Sequence, residues 1–111
     1  MIHSMKLRPE PFSSIRSGEK TFELRLYDEK RREISVGDTV RFTNTDTSEV
    51  IVRRVCALHR FDSFAALYEA LPLTKCGYTK ENVKNASPLD MNMYYSAEEE
   101  AVYGVLAIEL E

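Results

Sequence analysis

Between Lys20 and Tyr27 the chain reads KTFELRLY, with the apolar side chains Phe22, Leu24 and Leu26 at every second position. A period of two is the strand period, so these three share one face and Thr21, Glu23, Arg25 and Tyr27 the other. The pattern predicts a half-buried strand in a fixed register, because a slip of one residue would bury Glu23 and expose Leu24. Related signals recur along the chain. Ile2–Leu7 predicts a short opening strand, and Thr39–Thr43 one with Val40 and Phe42 facing inward. Glu49–Leu58 holds Val50, Ile51, Val52 and Val55, and this density of β-branched residues predicts a long central strand. The turn formers Asn44–Ser48 lie between the last two and predict a hairpin tip. Val105–Leu110 closes the chain with a further alternating strand.

The helical signals are shorter. Pro11 suits a first helical turn, Phe12 and Ile15 share a face, and Gly18 is a natural stop. Asp62 or Ser63 can cap a helix whose apolar stripe is Phe64, Leu67, Tyr68 and Leu71, ended by Pro72. A second short helix is predicted from Thr79 through Ala86. Ser96 and Glu99 have capping-box spacing, which predicts one or two turns over Ala97–Val102, stopped by Gly104. Strands and short helices in this order predict an α+β domain around a small, mainly antiparallel sheet or barrel. With 111 residues, no internal repeat and no low-complexity stretch, residues 1–111 are read as one domain.

Composition limits the setting. No apolar run reaches the roughly 20 residues of a membrane helix. The opening MIHSMKLRPEPF lacks the apolar centre of a signal peptide, so a cytosolic location is expected. Cys56 and Cys76 form no CxxC pair, which argues against a metal site and a disulfide framework. Cys56 lies in an apolar run and is expected to be buried; Cys76, before Gly77, is expected to be the more accessible. The net charge of −3 argues against a general nucleic-acid coat protein. Its distribution is uneven: residues 1–60 hold twelve Lys+Arg against nine Asp+Glu, and residues 61–111 hold three against nine. The first half can therefore attract phosphate locally.

Glu23 and Arg25, two apart, are expected to project from the same sheet face, with Lys20 at the strand entry. They are either an ordinary exposed ion pair worth ~0.5 kcal/mol, or a cleft cluster in which Arg25 grips phosphate and Glu23 accepts base N–H groups. Spacing alone favours the exposed pair. The adjacent Tyr94 and Tyr95 allow one ring in the core and one in the cleft, where it could stack on a base. His3 and His59 lack metal-ligand spacing; His59 is read as structural or at a rim. Glu98–Glu100 is a favourable charge run at a helix N-terminus.

Gly18, Lys20, Glu23 and Arg25 match the GxKxxExR signature of the ASCH domains. The lead-in Phe12–Ser17, the turn and strand Val36–Phe42, and the closing Tyr103–Glu109 are similar to the corresponding segments of that family. The resemblance spans nearly the whole chain. It implies a PUA-like β-barrel with surrounding short helices and a cleft that binds RNA or a nucleotide. The implied ligand-binding residues are Gly18, Lys20, Glu23 and Arg25, joined by Tyr94 and Tyr95, with no cofactor and no metal. One branch of the family contains small acetylcytidine amidohydrolases that use a Lys, a Thr and a Glu. The Lys falls on Lys20 but the Thr falls on Glu23, and the family Glu has no secure counterpart near Glu69 or Glu81. Lys20 and Glu23 would be the catalytic acid/base pair of such a hydrolase. Binding of RNA, nucleotide or nucleoside ranks first, the hydrolase second and a protein-interaction domain third. The sequence gives no oligomeric state.

Overall fold

The computed structural model describes residues 1–111. Its five strands are β1 (Ile2–Leu7), β2 (Phe22–Leu26), β3 (Thr39–Asn44), β4 (Val50–Phe61) and β5 (Val105–Leu110). They form one curled sheet in the order β1-β3-β4-β5-β2. The β1–β3 pair is parallel and the other three pairs are antiparallel. The result is the expected α+β, mainly antiparallel architecture, as a half-barrel with β1 and β2 at its edges.

β4 is the spine. Residues before its midpoint pair with β3 and those after it pair with β5. A register shift between Val55 and Ala57 separates the two halves. An inserted residue bends a strand and increases its twist, which carries the sheet from one half to the other.

Helix α1 (Pro9–Ser17) follows β1 directly, with proline in its first turn. Gly18 ends it at φ 87°, a left-handed conformation that costs glycine nothing, and its N–H reaches the Ile15 carbonyl. The buried Phe12 and Ile15 press α1 onto one face of the sheet, against Met5, Val40, Phe42, Leu106 and Ile108. Helix α2 (Phe64–Ala70) is capped by Ser63, whose side chain accepts from the Ala66 N–H. Its Phe64 and Leu67 cover the opposite face, against Phe22, Leu24, Leu26, Val105 and Ala107. Helix α3 (Ala97–Tyr103) carries the expected Ser96–Glu99 capping box.

Two cores on opposite faces correct the reading of β2. Phe22, Leu24 and Leu26 are buried as expected, and Glu23 faces away from them, in register with Ile108. That second face is also covered, so Glu23 is 4% exposed and the strand is not half-buried. The helix expected from Thr79 to Ala86 is instead one 3-10 turn, Val83–Asn85, within a long connection that also holds the 3-10 segment Pro88–Met93. The cysteines exchange roles: Cys76 is buried under α2 while Cys56 is partly exposed. No helix is long and apolar enough to cross a membrane.

Candidate functional site

A cleft of about 520 Å³ opens between the end of β1, helix α1 and the connection that follows α2. Its wall carries Lys20, Glu23 and Arg25, which the chain delivers from one short stretch. Gly18 turns the chain out of α1, Lys20 enters β2, and the strand period aims Glu23 and Arg25 to the same side. Gly18 itself does not line the cleft; its part is the turn.

Glu23 is the hinge of this cluster. Its Oε1 meets Lys20 Nζ at 2.9 Å and its Oε2 accepts from Arg25 Nε at 2.7 Å. Burial pushes the Glu23 carboxyl upward, but the charges and hydrogen bonds of Lys20 and Arg25 outweigh it and hold the group below its ordinary value. Both carboxylate oxygens are thus engaged by cations. Glu23 sets the positions of Lys20 and Arg25, and the expected contact with a ligand base is not the work its geometry favours. Burial weakens the charged form of Arg25, yet Glu23 and the Tyr95 hydroxyl more than compensate and raise its pKa. A guanidinium has five N–H donors. Its contacts with Glu23, Tyr95 and the Lys6 carbonyl leave donors over for a ligand.

The two tyrosines divide as the sequence allowed. Tyr95 is half-buried, stacks on Phe64 with ring centroids 6.0 Å apart, and turns its hydroxyl to Arg25. Tyr94 is 58% exposed at the cleft edge. Burial raises the Tyr95 pKa, so it remains a neutral phenol beside the cations.

Sequence reasoning missed the opposite wall. Tyr68 and Tyr78 share a hydroxyl–hydroxyl hydrogen bond of 2.8 Å, and Tyr78 donates to Asp90 at 2.7 Å. All three line the cleft, whereas Glu69 and Glu81 do not. Tyr68 had been visible only as part of a helical apolar stripe. Gly77, at φ 118°, brings the backbone against the Lys20 side chain, 3.7 Å from Lys20 Cδ to the point where a Cβ would stand. Cys76 lies beside it. Burial pushes its thiol up to about 11 although the Lys20 charge opposes this, which leaves no thiolate for nucleophilic work. His59 pairs with Glu109 at 2.8 Å, outside the cleft, with both side chains partly exposed. No group of three His, Cys, Asp or Glu side chains is placed to hold a metal ion.

The comparisons agree with this architecture. A crystal structure of the hypothetical protein PH0355 superposes with a TM-score of 0.81 at 33% identity, covering 100% of this chain and 98% of that one. The solution structure of PF0455 from Pyrococcus furiosus gives 0.75 at 32% identity, covering 100% and 96%. The ASCH protein of Zymomonas mobilis gives 0.65 at 18% identity, covering 99% and 66%, and shares the fold. No curated protein matches the sequence. The ASCH domain pattern itself matches residues 5–111, so the chain belongs to the ASCH domain family, with its PUA-like half-barrel fold.

Proposed function

We propose that the cleft binds a nucleotide, free or within single-stranded RNA, with its phosphate on Lys20 and Arg25. The observation that supports this most is the triplet in the wall: two cations held by one buried carboxylate between them. The local surplus is positive, and Arg25 presents a planar fork suited to phosphate. The cleft volume of about 520 Å³ suits a ligand of nucleotide size, within the ~300–1,000 Å³ of small-molecule sites. Tyr94 offers an exposed ring for a base, a contact worth ~1–3 kcal/mol.

The test is a calorimetric titration with nucleoside monophosphates and their unphosphorylated nucleosides. Phosphate-dependent binding that weakens with salt is expected. Lys20→Ala should reduce it on the order of tenfold, the scale of one charge-assisted contact. Equal affinity for nucleoside and monophosphate would remove the phosphate from the reading.

The Lys20–Glu23 contact of 2.9 Å favours one second reading, cleavage of an acylated nucleoside such as acetylcytidine with this pair as acid and base. A carboxylate held low by two cations is a weak proton acceptor, which ranks the hydrolase second. Acetate release from acetylcytidine, abolished in Lys20→Ala, is the result it requires.

A further inference from the structure

The outer face of β1, β3 and the first half of β4 is uncovered. Strand register places Ser4, Arg41 and Val52 in one row across it. Ile2, Thr39 and Arg54 form the row on one side, and Lys6, Thr43 and Val50 the row on the other. None of these nine residues is buried and none is acidic. Lys6, Arg41 and Arg54 lie on the diagonal, each step being one strand across and two residues along. Diagonal neighbours on a sheet face lie within reach of long side chains, so the three cations form a stripe.

Two of the three cations are electrostatically free. Lys6 and Arg41 form no ion pair. Arg54 meets Glu111 at 3.3 Å with both side chains more than half exposed, a pair worth little and easily displaced by another anion. The chain as a whole carries −3, so this face is a local reversal of the molecule's charge. It also begins at the cleft, because Lys6 lines the cleft and its carbonyl is held by Arg25 at 3.1 Å. The residues between the cations are β-branched or small, and none is aromatic. Such a surface can track a charged backbone but offers no ring for bases to stack on.

We infer that this face carries the backbone of a single-stranded RNA that enters the cleft, with successive phosphates over Lys6, Arg41 and Arg54. The placement of the strand's end rests on the nucleotide reading of the cleft; the stripe does not. Readout here is of phosphate and is independent of base sequence. An acidic protein surface would meet the same charges, but the linear arrangement and the continuity with the cleft favour a polymer with a repeating charge.

The experiment compares uridine monophosphate with oligouridylates of two, four and eight nucleotides. Each is titrated at two salt concentrations into wild type and into the double variant Arg41→Ala/Arg54→Ala, whose residues are exposed and do not line the cleft. Wild type should gain affinity with length. The double variant should bind the monophosphate as wild type does and lose about tenfold or more on the octamer. Its salt slope should fall by roughly 0.7 for each phosphate contact removed. Arg41→Lys/Arg54→Lys should restore most of the gain. Monophosphate binding with no gain from length overturns the inference and leaves the cleft reading intact. Octamer binding lost in the double variant, without any monophosphate binding, supports the stripe and removes the free nucleotide from the cleft reading. Wild type that binds no RNA at low salt overturns both.

Discussion

Arg25 donates a hydrogen bond of 3.1 Å to the main-chain carbonyl of Lys6, and so joins the two edges of the sheet. β2 and β1 stand at opposite ends of the strand order, with no ladder between them. The same guanidinium holds the buried Glu23 at 2.7 Å. One side chain thus spans the open side of the half-barrel and fixes the wall of the cleft. On the proposed function, Arg25 therefore serves the fold and the ligand together, unlike an exposed strand residue.

Arg25→Ala should therefore destabilise the domain as well as weaken binding. It leaves a buried carboxylate with Lys20 alone and removes the tie to the Lys6 carbonyl, a loss on the order of 1–3 kcal/mol. Urea denaturation measures it. A double-mutant cycle with Glu23→Gln should give a clear coupling energy, and an additive cycle would show that the pair carries no shared structural role.

Acid should weaken the fold partly through Asp38. The His3 side chain, then the Ser35 N–H, hold its carboxyl at about 2, below its ordinary 3.8, with a further contribution from the N-terminal ammonium. A folded-state pKa below the unfolded one stabilises above the unfolded value and is lost as pH falls through the folded one. The Asp38 contribution is then present above about pH 4 and gone below about pH 2. Wild type should lose more stability than Asp38→Asn between pH 5 and pH 2 in parallel urea melts. Identical pH dependence would mean that the His3–Asp38 contact persists unchanged in the unfolded chain or is absent from the folded one.

Leu24→Ala should cost ~2–4 kcal/mol through lost burial and a residual cavity. Leu24 is 7% exposed in the core shared with Phe64 and Leu67. A loss well under 1 kcal/mol in a thermal or urea melt would place it outside the core.

Gly77→Ala should destabilise by about 1–3 kcal/mol through backbone strain, since φ of 118° is open to glycine and poorly to any L side chain. The new methyl meets only the flexible Lys20 stem at 3.7 Å, so steric overlap is not the cause. Monophosphate affinity should fall with it as the loop shifts against Lys20. A variant as stable as wild type would show that this turn relaxes freely.

The positions of Lys20, Glu23 and Arg25 could be read from the chain because they are local. Four residues of strand geometry decide which side chains share a face, whatever packs on them. The same holds for the Gly18 stop, the Ser63 cap and the Ser96–Glu99 box, each satisfied within a few residues. What covers a face is another matter. α2 packs on one side of β2 and the inner core fills the other, and this long-range arrangement turns an apparently exposed ion pair into a buried one. It also buries Cys76 rather than Cys56. Tyr68, Tyr78 and Asp90 meet Lys20 and Arg25 across a cleft from distant parts of the sequence. No periodicity links such residues, because their convergence is set by how the sheet curls at β4 and where the connection after α2 returns. Backbone geometry repeats locally and is legible in the sequence; desolvation and convergence exist only once the chain has packed.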